Sequence, residues 1–238
     1  MNRVLTALPV FNEKKTLNSV LDEVVAVGGD VLVVNDGSND GTEWLLQHRK
    51  DVQVLHHDVN RGYGAALISA FEFAQQNDYD AIVTIDCDGQ HTPALIQAFA
   101  DDLVEKGADI VSGSRYLRQS DRTSVAPMER RRINFQITEL LNARLGLAIT
   151  DAFCGFKAYR VDAVSRMKLT EPGYAMPLEL WVQAACEGLT IVERAVPLIY
   201  LDEKRSFGGN LDDGDVRLNY YLEVIENSLA ALPDGCRK

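Results

Sequence analysis

Apolar and polar positions are arranged in blocks along the first part of the chain, and these blocks predict strands and helices in turn. Apolar residues at helical spacing, as in residues 17–25, predict helices between short continuous apolar runs. Such runs are typical of strands that are buried on both faces. The alternation predicts an α/β fold with a mostly parallel central sheet and helices on both faces. The apolar runs occupy residues 3–8, 31–34, 52–55, 81–85 and 109–112.

The pattern changes after Tyr116. Residues 117–128 are polar and irregular, which predicts a loop, and an apolar stripe at helical spacing predicts a helix over residues 129–147. No linker, repeat or low-complexity tract interrupts the chain. The other elements expected here are helices over residues 177–187 and 216–232 and a strand over residues 190–201.

A polar segment follows the end of each of the first five predicted strands. Ligands of open parallel sheets bind beyond the carboxyl ends of the strands, and these ends meet at one edge. The sequence therefore predicts that the five segments share one rim and form a nucleotide-type site. They are residues 9–13, 35–40, 58–64, 86–91 and 113–116.

The segment after the fourth strand carries Asp86 and Asp88, one residue apart, followed by Gly89 and Gln90. Glycine lets the backbone leave the extended state, so the two carboxylates are able to converge. Two carboxylates and an amide oxygen suit Mg²⁺ or Mn²⁺, which commonly shares its site with substrate phosphates. A solvated acidic turn is the alternative interpretation of these residues alone.

The formal net charge of −11 argues against general binding of nucleic acid. Residues 115–132 differ from the rest of the chain, because they contain six arginines and only two acidic residues. This cationic segment predicts a specific anionic partner.

The four cysteines are widely spaced and include no CxxC pair, so we expect neither a zinc site nor a disulfide framework. No apolar run approaches the ~20 residues needed to span a bilayer. The N-terminal residues resemble a strand rather than a signal peptide. These features predict a cytoplasmic protein without a transmembrane segment.

Six motifs, in order, make the chain resemble the family-2 glycosyltransferases of GT-A fold. The resemblance is strongest to the polyprenyl-phosphate sugar synthases of the dolichyl-phosphate mannose synthase type. The motifs are ALPVFNE (7–13), VVNDGSNDGT (33–42), NRGYGAAL (60–67), TIDCDGQHTP (84–93), GSRY (113–116) and DAFCGFKAYR (151–160). They cover most of residues 4–160, and the C-terminal third matches only loosely.

The resemblance implies a single GT-A domain over residues 1–238, with a nucleotide-sugar-binding half (1–116) and an acceptor-binding half (117–238). It implies an inverting enzyme that takes its sugar from a GDP- or UDP-sugar, with Mg²⁺ or Mn²⁺ held by Asp86, Asp88 and Gln90. The donor-binding residues that it implies are Pro9, Phe11, Glu13, Asp36, Arg61, Gly62, Asp86, Cys87 and Asp88.

The acceptor that the resemblance implies is a polyprenyl phosphate, which the protein would meet at the cytosolic membrane face. Bidentate guanidinium groups suit a phosphate monoester. The expected acceptor-binding residues are Arg115, Arg131, Arg132, Lys157, Arg205 and Ser206. The expected catalytic residues are Asp88, Arg115, Asp151 and Glu179.

Two alternatives stay open at this point. A phosphate acceptor with a second pKa of ~6 is largely ionised at neutral pH and needs no general base. A hydroxyl acceptor needs one, and Asp151 or Glu179 is then the candidate. The second alternative is a non-catalytic protein that binds a nucleotide sugar.

Overall fold

The computed structural model describes residues 3–117, 126–199, 208–233 and 236. Seven strands form one sheet: β1 (Val4–Val10), β2 (Asp30–Asp36), β3 (Gln53–His57), β4 (Ala81–Thr84), β5 (Ile110–Ser114), β6 (Lys157–Arg160) and β7 (Ile191–Ala195). Their order in the sheet is β3-β2-β1-β4-β6-β5-β7. Only β6 runs antiparallel to its neighbours, β4 and β5. The mostly parallel sheet predicted from the sequence is confirmed.

The helices are α1 (Leu17–Val27), α2 (Thr42–His48), α3 (Tyr63–Gln76), α4 (Ile96–Glu105), α5 (Met128–Leu145), α6 (Val161–Val164), α7 (Met176–Cys186) and α8 (Gly214–Ala231). Short 3₁₀ turns cover residues 93–95 and 209–212. None of the helices among the described residues combines the length and apolar character needed to cross a bilayer.

The core lies on both faces of the sheet, because successive strand residues point to opposite sides. Leu32 and Val34 of β2 pack with α3, α5, α7 and α8 on one face. Val31 and Val33 of the same strand pack with α1, α2 and α4 on the other face. The predicted placement of helices on both faces is therefore confirmed.

The disulfide part of the cysteine prediction is wrong, because one disulfide joins Cys186 at the end of α7 to Cys236. The two residues are 50 positions apart. Helix α8 packs against α7 and brings the C-terminal residues back to the end of that helix. The spacing of the cysteines in the sequence does not show that the C-terminal residues fold back onto the end of α7. Cys87 and Cys154 are free and buried.

The last strand is shorter than predicted. β7 ends at Ala195, whereas the apolar pattern predicted a strand to residue 201. Pro197 follows two residues later, and proline has no N–H to continue a ladder of hydrogen bonds. Residues 200–207 lie outside the described part of the chain.

Candidate active site

A cavity of about 520 Å³ opens at the carboxyl ends of the parallel strands. Each of the five polar segments predicted to share a rim contributes to its wall, so that prediction is confirmed. The contributors include Phe11 after β1, Asp36 at the end of β2, Asn60 after β3, Asp88 after β4 and Arg115 after β5.

Asp36 joins three elements at the back of this cavity. Its Oδ1 accepts hydrogen bonds from Nδ1 of His57 at 2.6 Å and from the backbone N–H of Arg61 at 2.9 Å. Its Oδ2 accepts from the backbone N–H of Gly62 at 2.8 Å. His57 Nε2 lies 3.0 Å from the hydroxyl of Ser69 on α3. The Asp36 carboxylate therefore fixes the start of α3 against the ends of β2 and β3.

The start of α3 also packs closely on the segment before α7. A side chain at Gly62 would overlap the carbonyl oxygen of Pro172, so this position requires glycine. The close approach stacks the ring of Tyr174 on Tyr63 at a centroid distance of 5.7 Å. Both tyrosines line the cavity.

Tyr63 supports the acidic turn that follows β4. Its hydroxyl donates to Oδ1 of Asp86 at 3.0 Å, and His91 Nε2 lies 3.1 Å from Oδ2 of the same carboxylate. Burial and the Asp86 charge raise the pKa of Tyr63 well above 10.0, so its hydroxyl keeps its proton. On the other side, a side chain at Gly155 would overlap the Asp86 carboxylate. Contacts from two sides therefore fix the orientation of Asp86.

Asp88 and Gln90 lie beside Asp86 in the cavity wall. The backbone N–H of Gln90 donates to Oδ1 of Asp88 at 2.9 Å, so the turn folds back on its own carboxylate. Within the described ranges, no group of three or more His, Cys, Asp or Glu side chains forms a complete metal cage. Two carboxylates and an amide at a cavity wall instead fit a Mg²⁺-type ion that takes its remaining ligands from substrate phosphates.

A buried ion pair forms the opposite end of the site. Arg115 donates from Nε to Oδ2 of Asp151 at 2.7 Å and from Nη2 to Oδ1 at 2.9 Å. Asn134 of α5 donates to the same Oδ1 at 2.8 Å. Burial alone would raise the pKa of Asp151, but the Arg115 charge and these hydrogen bonds outweigh it and lower the pKa to about 2. Asp151 is therefore ionised and aims Arg115 at the cavity.

This geometry contradicts the two predicted general bases. Asp151 has no exposed surface, and the Arg115 guanidinium lies between it and the cavity. Glu179 is also buried, where its carboxylate accepts hydrogen bonds from the backbone N–H groups of Thr170 and Glu171, both at 2.8 Å. Glu179 fixes the segment that leads to Tyr174 and does not line the cavity. The burial and hydrogen bonds of both carboxylates therefore argue against a role as general base.

Lys157 does not serve the acceptor either. Its side chain is buried, donates to the carbonyl oxygen of Cys154 and lies 5.5 Å from the centroid of the Trp181 ring. Burial lowers its pKa. This burial argues against the predicted contact with phosphate, because Lys157 is not in the cavity wall.

Of the three arginines at the head of α5, Arg130 lines the cavity. Arg131 and Arg132 are exposed and absent from the cavity wall, and Arg132 lies 3.7 Å from Asp215. The sequence predicted a clamp from one or more of the arginines at positions 130–132, and Arg130 is the one that borders the cavity, since neighbouring residues lie about 100° apart around a helix. Its role in holding phosphate stays a prediction. Arg61 likewise contributes its backbone to Asp36, and its side chain is exposed.

All of the other predicted donor residues are in the cavity wall, namely Pro9, Phe11, Glu13, Asp36, Gly62, Asp86, Cys87 and Asp88. Their role in binding a donor stays a prediction. Arg205 and Ser206 lie outside the described residues, as do residues 118–125 of the cationic segment.

Sequence reasoning missed an aromatic and cationic wall formed by the C-terminal half. Phe153 and Tyr221 lie against each other with ring centroids 4.9 Å apart, and both line the cavity. Arg217 of α8 lines it too, pairs with Glu129 and donates to the carbonyl oxygen of Leu211 at 2.6 Å. The available signal for Arg217 was its position in the sequence, where it continues the apolar stripe of Tyr221, Val224 and Ile225 at helical spacing.

The sheet, its helices and a rim cavity with paired carboxylates define a glycosyltransferase of GT-A fold. Glucosyl-3-phosphoglycerate synthase from Mycobacterium tuberculosis, in complex with Mn²⁺, UDP-glucose and phosphoglyceric acid, shares this fold with a TM-score of 0.73 at 18% identity. The alignment covers 98% of this chain and 81% of that one. The chain belongs to glycosyl transferase family 2, whose model matches residues 6–167.

Two relatives are similar over most of the chain. The undecaprenyl-phosphate mannosyltransferase of Micrococcus luteus is 31% identical over 244 residues, covering 99% of this chain and 98% of that protein. The polyprenol monophosphomannose synthase of Mycolicibacterium smegmatis is 30% identical over 214 residues, covering 85% and 78%. The chain is therefore a glycosyltransferase, and the non-catalytic alternative is set aside.

The buried ion pair yields a prediction about stability and pH. Replacing Asp151→Asn leaves the Arg115 charge without its partner, so we expect a loss of about 3–5 kcal/mol in the free energy of unfolding at pH 7. The lowered pKa makes the carboxylate stabilising above its unfolded value of 3.8, and this contribution is lost as pH falls towards about 2. Urea unfolding should therefore show a difference in the free energy of unfolding between the wild type and Asp151→Asn, and this difference should narrow below pH 3.8.

Asp215→Asn is the matched control, because Asp215 is 88% exposed in its ion pair with Arg132. We expect it to change stability by less than about 1 kcal/mol. If the difference in the free energy of unfolding between the wild type and Asp151→Asn stays constant from pH 7 to about pH 2, Asp151 is not an ionised, stabilising group.

Proposed function

We propose that this protein transfers a sugar from a GDP- or UDP-sugar to a polyprenyl phosphate, with inversion and with Mg²⁺ or Mn²⁺. The observation that carries this proposal is the separation of charge in the cavity. Its acidic residues Glu13, Asp36, Asp86 and Asp88 come from the ends of β1, β2 and β4. Its arginines, Arg115, Arg130 and Arg217, come from the end of β5 and from α5 and α8.

On the acidic side, the donor's nucleoside contacts Phe11, Glu13 and Asp36. A carboxylate accepts hydrogen bonds from ribose hydroxyls or a base N–H, and an exposed aromatic ring supports a base. Phe11 is 42% exposed at the cavity and is available for such a contact. Gly62 borders the same side of the cavity and acts through Asp36, to which its N–H donates.

Asp86, Asp88 and Gln90 hold the metal in this proposal. The bound ion neutralises charge on the departing diphosphate. Tyr63, His91 and Gly155 keep the Asp86 carboxylate in place, so the turn does not have to reorganise when the donor binds.

On the cationic side, Arg115 and Arg130 hold the acceptor phosphate. One of its oxygens forms a bond to the anomeric carbon of the sugar as the bond from that carbon to the diphosphate oxygen breaks, which inverts the configuration. The phosphate is already ionised at neutral pH, so no base has to remove a proton. The described cavity wall contains no carboxylate on this side, which favours phosphate over a hydroxyl acceptor.

The names of the two relatives point to the same acceptor class and to mannose as the first sugar to test. The Mn²⁺ and UDP-glucose held by the Mycobacterium tuberculosis structure support a divalent metal and a nucleoside diphosphate sugar for this fold. Assays with GDP-mannose and with UDP-sugars distinguish the two nucleotides.

Transfer to a short, water-soluble prenyl phosphate tests the proposal and its phosphate site together. With GDP-mannose, or a UDP-sugar, and Mn²⁺, we expect a prenyl-phosphate sugar as product. Arg130→Ala should raise the KM for the acceptor about tenfold or more, because a charge-assisted hydrogen bond is lost. Mass spectrometry of the product and initial rates provide the measurements.

Arg131→Ala is the matched control, since this neighbouring arginine lies outside the cavity and should leave that KM unchanged. Absence of product with every common donor would overturn the acceptor assignment. Equal effects of the two substitutions would overturn the role of Arg130.

The metal site yields a separate prediction. Asp88→Asn should weaken Mn²⁺-dependent binding of UDP or GDP about tenfold or more, because the amide is a poorer ligand for a hard cation than the carboxylate. Calorimetry with and without EDTA measures this effect. Asp58→Asn is the control, because Asp58 is an exposed rim carboxylate outside this cavity. Unchanged Mn²⁺-dependent affinity in Asp88→Asn would remove Asp88 from the metal site.

A further inference from the structure

We propose that the outer face of α5 docks the mouth of the cavity on an anionic lipid bilayer. This inference rests on the proposed function, because a polyprenyl acceptor is held in a membrane. The docking face consists of Met128, Arg131, Arg132 and Phe135 of α5 together with Val216 of α8.

The four α5 residues share one side of the helix. They follow each other at spacings of 3, 1 and 3 residues, which places them on adjacent turns of one helical stripe. Met128 is 86% exposed, Phe135 66% and Val216 44%. Asp215, next to Val216, lies 3.7 Å from Arg132, so the start of α8 adjoins this stripe. Met128 and Phe135 therefore share one side of α5, and Val216 lies at the neighbouring start of α8.

The inner side of α5 already has its own partners. Ile133, Ile137 and Leu141 are buried in the core, and Asn134 holds Asp151. The apolar residues on the outer face are thus additional to those that the fold needs. Apolar anchors interleaved with arginines are typical of surfaces that lie in the headgroup region, where the arginine stems extend along the acyl boundary.

The two arginines of this face suit the phosphate groups of lipid headgroups. The chain as a whole is acidic, at −11, so most of its surface is repelled by anionic headgroups. Arg131 and Arg132 oppose that repulsion at this face. Exposed acidic residues also surround these arginines, namely Glu129 and Glu139 on α5 and Asp212, Asp213 and Asp215 around the start of α8. The orientation is therefore set by the two arginines and three apolar anchors acting together.

The docking face is continuous with the site. Arg130, which lines the cavity, directly precedes Arg131 on the same helix. A lipid phosphate lies at headgroup depth, so docking this stripe brings Arg130 to the level at which the acceptor phosphate is presented. The position of the face thus matches the need of the proposed reaction.

Vesicle flotation tests this surface with the full chain. We expect binding to vesicles of 70% phosphatidylcholine and 30% phosphatidylglycerol, and Met128→Ser with Phe135→Ser should weaken it about tenfold or more. Arg131→Ala with Arg132→Ala should weaken it about tenfold at low salt and less at high salt. Trp44→Ser with Val59→Ser is the control, since these residues are 62% and 66% exposed on other elements.

Transfer to the short soluble acceptor should stay unchanged in the Met128 and Phe135 variant, and transfer to polyprenyl phosphate in vesicles should fall with binding. Equal vesicle binding by the wild type and this variant would overturn the docking proposal while leaving the transfer reaction intact. A concentration-dependent dimer that disappears in the same variant would assign the face to a second copy of the chain and would also overturn it.

A separate observation concerns the cavity residue Asp36. We infer that His57 is a positioning residue for donor binding, with Ser69 as its support. A carboxylate only accepts, so His57 Nδ1 carries a proton towards Asp36, and Nε2 lies 3.0 Å from the Ser69 hydroxyl. All three side chains are less than one-tenth exposed.

The relay fixes which way the Asp36 carboxylate points. Three N–H donors from the protein hold this carboxylate, and the residue also borders the cavity. Loss of the histidine would let the carboxylate rotate towards the backbone N–H groups of Arg61 and Gly62. This inference rests on Asp36 contacting the nucleoside, so Asp36→Asn has to weaken nucleotide binding first.

Calorimetry with UDP and GDP plus Mn²⁺ tests the relay. His57→Leu should weaken nucleotide binding about tenfold, and Ser69→Ala about threefold. His57→Asn should restore most of the affinity, because its amide N–H replaces Nδ1. His56→Leu is the control, since that neighbouring ring is exposed.

A purely structural histidine would lower Tm in His57→Leu and leave the nucleotide affinity of the folded protein unchanged, which would overturn the inference. If His57→Leu does not fold, unchanged affinity in Ser69→Ala would do the same. Unchanged affinity in Asp36→Asn would instead show that the donor assignment is at fault.

Discussion

The buried pair of Arg115 and Asp151 decides what the cavity is able to do chemically. The pair joins the end of β5 to the loop before β6, and Asn134 adds α5 to the same carboxylate. Because Asp151 is ionised and enclosed, it holds the guanidinium and cannot exchange protons with a ligand. One interaction therefore fixes the position of α5, aims a cation at the site and removes a carboxylate from the list of bases.

Asp36 and Asp86 are organised by the same principle, with histidine, tyrosine and backbone N–H groups in place of an arginine. Buried polar groups are costly unless they are hydrogen-bonded, so each carboxylate at the rim is held by specific partners. Asp36 is held by His57 and two backbone N–H groups, and Asp86 by Tyr63 and His91. These partners come from β3 and α3 and from the segment that follows β4. The rim is consequently a set of cross-linked loops whose carboxylates are oriented before any ligand arrives.

The features that depend on the local pattern of apolar and polar residues could be predicted from the sequence. Continuous apolar runs located the parallel strands, and polar segments after them located the rim, because both depend on residues that are close in sequence. Burial of single polar side chains was not predictable in this way. Lys157 and Glu179 have the residue types of a binding site and lie in the core, and Arg130 differs from Arg131 only by its angle around α5. The Cys186–Cys236 disulfide depends on how α8 packs on α7, which no spacing rule contains.

The separation of charge in the cavity has a physical rationale within the proposed reaction. A donor diphosphate and an acceptor phosphate are both anions, and they repel each other more strongly as water is excluded. Carboxylates that hold a cation suit the first anion, and arginines suit the second. If one cationic surface bound both, it would not distinguish them. Each anion therefore has its own set of groups that offset its charge. The carboxylates lie on the ends of β1, β2 and β4, and the arginines lie on the end of β5 and on α5 and α8. The reacting atoms then meet at the boundary between the two sets, where Arg115 and Asp86 face the same space.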